Sequence, residues 1–385
     1  MTDRDGRVRA GQLVVAQAAL VGVAISVVAP TWVLAGVCAA AAAVLIGTFG
    51  RSGGRWWYQA VAGQRRFRRR RRRAAAQVLA AAIGNSAGQQ GGAGPPQLAW
   101  LRTLAPGLTF RSITQGDQTV GLATDPGGWF AVAEVGSLWD ESVDPAGEIP
   151  FAALAALVEA GADRVPVSTV QVIAVPGGSG PAASRIRPAW VAVRISVTDA
   201  VSVERAGGVG AVERATVAAA LRAGRTLERH GWPARVLDPD GLLAALVDAT
   251  GLDGPPQEHW STWRSGRLVH TCYQVTGWEP ARGMLAPGVT RIAVTFSART
   301  EPGIVAVVAA EPRAIVRVTE EVVGSVGGTG VHLRRLDGEQ APAIFGTAPT
   351  GLAIGRLAAR RPGRVTPRPE PSLGSTATTS KGEQG

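Results

Sequence analysis

LVVAQAALVGVAISVVA (residues 13–29) and WVLAGVCAAAAAVLIGTF (residues 32–49) are two uncharged apolar runs separated only by Pro30 and Thr31. At a helical rise of ~1.5 Å per residue each run covers about 26 Å, short of a ~30 Å hydrocarbon core but within reach of it with help from flanking residues. A cleaved leader fits poorly, because no A-x-A signal ends the first run and a second run follows at once. A hairpin buried in a soluble core fits no better, since nothing nearby is apolar enough to surround both runs. The two runs therefore predict a transmembrane helical hairpin. Gly22 and Ser26 in the first run, and Gly36 and Ala40 in the second, have the four-residue spacing of small residues that lets helices approach closely. Gln17 is the one strongly polar side chain at depth and suits a helix–helix hydrogen bond.

The charges around these runs set an orientation. Arg4, Arg7 and Arg9 precede the first run, and Arg51, Arg55 and the stretch RRFRRRRRR (residues 65–73) follow the second. The connection between the runs has no charge, so the positive-inside rule puts both termini and the main domain in the cytoplasm, in a two-pass inner-membrane protein. Trp56, Trp57 and Tyr58 follow the second run at a spacing that suits the headgroup level. Arg65, Arg66, Arg68, Arg69, Arg70, Arg71, Arg72 and Arg73 then lie near anionic lipid, where each contributes on the order of 1 kcal/mol of attraction.

A nucleic-acid binder spreads its basic residues over a folded face. Here residues 1–97 hold 13 arginines against Asp3 and Asp5, while residues 98–385 hold 27 basic and 27 acidic residues. The net charge of +11 thus belongs to the N-terminal quarter, and no specific nucleic acid is expected as a partner.

Composition divides the chain into a cytosolic N-terminus (1–12), the transmembrane hairpin (13–49), an Arg-rich juxtamembrane segment (50–83), a Gly/Gln/Pro linker (84–96), a cytosolic domain (97–360) and a polar, disordered tail (361–385). Within the domain, alternation predicts strands over 109–115, 118–125 and 128–135, joined by an Asp-Pro-Gly-Gly turn, and further strands over 168–175, 189–197, 234–238, 267–275, 289–298 and 304–310. Helical periodicity covers 151–162, 209–231 and 241–251. Strands and helices mixed in this way predict a mixed α/β domain, a sheet covered by helices.

Catalytic constellations are scarce. Cys38 and Cys272 lie far apart and make no disulfide framework, as suits a reducing compartment. His230, His259, His270 and His332 lack metal-ligand spacing. Lys381, in the tail, is the only lysine, so no Walker loop exists and P-loop ATPase activity is excluded. PGGSGP (176–181) lacks the glycine order of a phosphate-binding turn. In LDPDG (237–241), Asp238 and Asp240 resemble the D-x-D that holds a metal and a nucleotide-sugar diphosphate, although the same residues serve as ordinary turn and helix-cap chemistry. HWSTWRSGR (259–267) places Trp260 and Trp263 beside Arg264 and Arg267, which reads either as a partner-binding patch or as core anchors. No cofactor, no metal and no enzymatic activity are expected.

A basic N-terminus, two apolar spans, an Arg-rich stretch and a cytosolic α/β domain together resemble EccE, a membrane-complex subunit of actinobacterial type VII secretion (ESX) systems. The stretches QTVGLATDPGGWFAVAEV (118–135), ERATVAAALRAGRTLERHGWPARVLD (213–238) and DGEQAPAIFGTAPTG (337–351) share that resemblance, and heavy Ala, Gly, Val and Arg usage suits an actinobacterial coding bias. It implies a structural subunit that supports assembly and stability of the export machinery, beside EccB, the EccC motor ATPase, EccD and a mycosin protease. It also implies a cytosolic domain likened to glycosyltransferase folds. The alternative reading is a membrane-anchored glycosyltransferase-like enzyme with a metal–nucleotide site at Asp238 and Asp240.

Overall fold

The computed structural model describes residues 10–52, 55–86, 96–136, 149–159, 167–176, 186–276, 289–297, 300–310, 320, 324 and 332–352. The expectations for residues 1–9 and for the tail 361–385 lie outside these, as does the glycine-rich stretch beyond Pro176.

Two apolar helices open the chain, α1 (Ala10–Ser26) and α2 (Thr31–Phe49), and they contact each other. The first ends three residues before the predicted boundary. The Ser26 hydroxyl donates back to the Val23 carbonyl at 2.8 Å and the chain turns before Pro30. Only α2 is long and apolar enough, among the described residues, to cross a membrane; the apolar part of α1, Leu13–Ser26, is shorter. Gly22 and Ser26 lie on the less exposed side of α1, whereas Gly36 and Ala40 lie on the exposed side of α2. An added Cβ at Gly22 or Gly36 meets nothing within 4 Å, so these two glycines do not mark a close helix approach here. Gln17 is exposed. A two-stranded antiparallel ribbon, β1 (Arg51–Ser52) with β2 (Arg55–Trp56), leads into the long helix α3 (Trp57–Ser86), which runs three residues into the predicted linker.

The domain begins with α4 (Pro96–Leu104) and the meander β3 (Thr109–Gln115), β4 (Gln118–Asp125) and β5 (Gly128–Val135), at the predicted boundaries. It continues through α5 (Phe151–Glu159), β6 (Thr169–Pro176), β7 (Ile186–Ser196), α6 (Val197–Gly207), α7 (Ala211–Arg229), β8 (Ala234–Val236) and α8 (Pro239–Thr250). Then follow β9 (Gln257–Glu258), β10 (Trp263–Ser265), β11 (Leu268–Thr276), β12 (Val289–Ser297), β13 (Thr300–Ala310), β14 (His332–Arg335) and α9 (Gln340–Thr347). Helix α6 occupies a stretch that the sequence reading left open. Its start is fixed by Ser196, whose hydroxyl oxygen accepts from the Asp199 N–H at 3.3 Å, the usual N-cap arrangement.

β3 to β14 form one twelve-stranded sheet, ordered β3-β4-β5-β7-β6-β12-β13-β11-β10-β9, with β8 added beside β5 and β14 beside β11. Every described ladder is antiparallel. A nucleotide-binding doubly wound sheet instead carries its ligand at the carboxyl ends of parallel strands, so the ladders lend nothing to a glycosyltransferase-like fold.

The order reads alike from both edges. From one edge come β3, β4, β5, β7, β6, and from the other β9, β10, β11, β13, β12. In both halves a short strand then joins the third strand and leads into a helix. The Leu237 N–H donates to the Val132 carbonyl at 2.9 Å, and the Leu336 N–H donates to the Cys272 carbonyl at 3.0 Å. Both leucines are buried and each is followed by an aspartate; Asp238 directly caps α8, whereas a turn at Asp337–Gly338 leads into α9. The two halves meet through the antiparallel pair β6–β12, which makes the domain a tandem repeat about a pseudo-two-fold axis.

Helices cover both faces. On one side Leu101 of α4, Leu242 and Leu246 of α8, and Ile344 and Phe345 of α9 pack on Phe130, Val132, Trp190, Ala192, Cys272 and Ala293. On the other, Leu154 of α5 and Ala219, Ala223 and Leu227 of α7 pack on Val170, Val172, Val191 and Val193. Strands buried on both faces read as nearly continuous apolar runs, which is why VQVIAV and AWVAV show little polar alternation. The small residues of α7 let it lie close to the sheet, and Gly231 (φ 79) terminates it in the left-handed region. At Gly121, an added Cβ would sit 2.5 Å from the backbone of Asp238, so β4 and the turn before α8 can touch only through a glycine.

Candidate membrane-side interface

The arginine run lies within α3. Arginine is a good helix former, but like charges three and four residues apart repel, so so basic a helix gains from contacts beyond itself. Two residues of the run supply them. Phe67 is 8% exposed and meets the Trp260 ring edge-to-face, with centroids 5.4 Å apart and planes at 87°. Arg70, three residues on and on the same helix face, grips the Glu258 carboxylate with both Nε (3.3 Å) and Nη2 (3.0 Å), and donates also to the Gly338 carbonyl.

Glu258 gathers three elements. It sits on β9 with its side chain 7% exposed, binds Arg70 of α3, and accepts from the Ala341 N–H in the first turn of α9 at 3.1 Å. The Gly338 N–H donates to the Trp260 carbonyl at 2.6 Å, and a Cβ at Gly338 would clash with the Trp260 ring at 2.5 Å. Glycine at this left-handed position (φ 72) therefore seats the indole that Phe67 leans on.

The remaining arginines of the run, Arg65, Arg66, Arg68, Arg69, Arg71, Arg72 and Arg73, are exposed. One side of α3 is thus docked and the rest of its circumference presents positive charge, a short distance in sequence after the exposed apolar helix α2. Trp56 ends β2, and Trp57 and Tyr58 open α3; their side chains lie outside the described residues.

The tryptophan patch divides. Trp260 is 40% exposed beside α3, whereas Trp263 is 2% exposed and belongs to the core between sheet and helices. Arg264 and Arg267 are exposed, with Arg264 Nε donating to the Gly266 carbonyl at 3.2 Å. Asp238 and Asp240 are exposed as well. The Asp238 carboxylate accepts from the Gly241 N–H at 2.7 Å as the N-cap of α8, and Asp240 lies in the first turn. Among the described residues no three His, Cys, Asp or Glu side chains come together as metal ligands.

Sequence reasoning missed a buried polar cluster where segment 346–352 lies against β6 and β7. Arg194 of β7, 3% exposed, pairs with Asp125 and donates to the Thr350 carbonyl at 2.7 Å. Gln171 of β6 donates to the Gly346 carbonyl at 2.5 Å, and its own carbonyl accepts from Thr350 N–H (3.1 Å) and Gly351 N–H (2.8 Å). The signal was present: Gln171 and Arg194 are polar residues inside otherwise apolar strands, which only a partnered interior tolerates.

The segment from 183 to 275 runs from just before β7 to the end of β11 and includes Glu258 and Trp260. It matches the model of the family described as "Putative type VII ESX secretion system translocon, EccE". Residues 183–275 are thus similar to EccE. The match covers less than a third of the chain and includes the stretch 213–238 quoted above. No curated protein matches the chain.

Proposed function

We propose that this chain is a structural subunit of the inner-membrane complex of a type VII secretion system, supporting its assembly and stability rather than catalysing a reaction. The EccE match carries the reading and supports a secretion-system component. In this account α1 and α2 are a two-pass anchor, both termini and the domain are cytoplasmic, and the arginines of α3 rest against anionic lipid. The neighbours are the translocon subunits EccB, EccC, EccD and the mycosin. Docking of α3 through Phe67 and Arg70 supports the reading, because it ties the sheet domain to the anchor instead of leaving it on a loose tether.

The glycosyltransferase-like alternative has less behind it. Asp238 is engaged as a helix cap and the described ladders are antiparallel.

Topology is testable with an impermeant maleimide. Native Cys272 is a silent background, because it is fully buried and burial pushes its thiol pKa far up. A Ser202→Cys substitution on the exposed side of α6, in a Cys38→Ala background, supplies the reporter. Labelling is expected in inverted vesicles and absent in intact spheroplasts. Labelling in spheroplasts would put the domain on the opposite side and overturn the assigned orientation.

A further inference from the structure

We propose that the cleft between α3 and Trp260 binds the phosphodiester headgroup and glycerol region of an anionic phospholipid, an inference that rests on the membrane-anchored reading above. The cleft has a volume of about 510 Å³ and its α3 wall is one helix face, with Gln64, Phe67, Arg68, Arg71, Arg72 and Ala75 in i, i+3, i+4, i+7, i+8, i+11 sequence. Trp260 of the domain forms the opposite wall. Phe67, Ala75 and the indole give the cleft apolar walls, and Arg68, Arg71 and Arg72, exposed and with no ion-pair partner among the described residues, line it beside them.

An apolar cleft that also carries three arginines along its α3 wall is complementary to a phosphodiester joined to hydrocarbon. Guanidinium forks bind phosphate oxygens in pairs, and the apolar walls suit glycerol and the first methylenes. The docking contacts hold this shape before a ligand arrives, since Phe67 fixes the indole and the Arg70–Glu258 pair fixes the pitch of α3. Position favours a lipid over an acidic peptide. The cleft lies on the first helix after α2, whose apolar side chains are exposed, and α3 contacts α2. The remaining arginines of α3 give a diffuse attraction, whereas the cleft combines charge with an apolar wall.

The test is native mass spectrometry of the full chain in a non-ionic detergent with added phosphatidylglycerol, using phosphatidylcholine as the neutral control and excess inorganic phosphate as competitor. Two charge-matched variants separate a site from a field: Arg68→Gln/Arg71→Gln/Arg72→Gln in the cleft, and Arg65→Gln/Arg69→Gln/Arg73→Gln away from it. Trp260→Ala removes a wall and no charge. We expect retention of phosphatidylglycerol to fall at least tenfold in the cleft variant and in Trp260→Ala, with the away variant close to wild type and phosphate a poor competitor. Equal losses in both triple variants with Trp260→Ala unaffected would overturn the proposal in favour of diffuse charge. Efficient displacement by phosphate would overturn it in favour of a simple anion site, and retention unchanged in the cleft variant and in Trp260→Ala would leave the cleft to some other partner, such as an acidic peptide. Alkaline washing of membranes carrying the wild type separates the two levels: a chain that washes off contradicts the anchor reading itself, whereas one that stays, with no cleft-dependent lipid, contradicts the cleft alone.

Discussion

Asp125→Ala is expected to destabilise the domain by about 3–5 kcal/mol, because it strips the carboxylate from a guanidinium that cannot reach water. Arg194 and Asp125 have side chains 3% and 4% exposed, and the same arginine holds the Thr350 carbonyl at 2.7 Å. Loss of the pair therefore loosens the whole segment 346–352, which Gln171 and Thr169 also bind. The melting temperature of the full chain in mild detergent, followed by the fluorescence of its 11 tryptophans, should fall by roughly 10 °C. Limited proteolysis should gain new cuts near 346–352 that the wild type lacks. Asp125→Asn, which keeps an acceptor for the Gly127 N–H, should cost less. A variant within about 1 kcal/mol of wild type would show that the pair adds little beyond what its neighbours supply.

The second large effect concerns acid. His270 is 3% exposed, lies against Gly251 at the end of α8, and pairs across the ladder with Trp263. Neither ring nitrogen has a hydrogen-bond partner among the described residues. Burial, with repulsion from Arg291 and a smaller opposing pull from Asp253, lowers its pKa from 6.5 to about 4. The unfolded chain protonates this imidazole near pH 6.5 and the folded chain only near 4, so between those values the unfolded state binds more protons and stability falls as pH falls. The loss approaches about 3 kcal/mol by pH 4. Carboxylates titrate alike in wild type and in His270→Phe, so the difference between the two isolates the histidine. Urea unfolding at pH 7 and pH 4 should show wild type losing that amount relative to the variant. Parallel pH profiles would mean that the ring finds a proton partner when folded.

Much of the fold was legible where the local rules act alone. The β3–β5 meander matches its predicted boundaries, because its turns carry their own chemistry: Asp-Pro-Gly-Gly closes one and Gly116 (φ 61) the other. Helix α8 was legible from an aspartate cap before Pro239 and a glycine after Thr250. The strands of two or three residues, β8 apart, were not, since β9 and β10 are too short to show alternation and exist only by pairing with β11 and each other. The tandem repeat left almost no sequence trace beyond Leu237–Asp238 and Leu336–Asp337, because a core accepts many apolar residues at one position provided volume and pattern are kept.

The interface was half legible. Composition marks the arginine run at once, and its exposed members need nothing more to be recognised as a charged surface. The single phenylalanine inside it acquires its role only through Trp260, and Arg70 only through Glu258, 188 residues away in sequence. No local pattern announces a contact of that separation. Trp263 shows the converse, since its spacing from Trp260 suggested a shared patch, but strand alternation turns it into the core.

Membership of a large membrane assembly is tested most directly by co-migration. A tagged full-length chain, in membranes solubilised gently and resolved by blue-native electrophoresis with mass spectrometry of the band, should run in a very large complex with a motor ATPase and other membrane subunits. Migration as a lone monomer or small oligomer, reproduced across several mild detergents, would contradict the account.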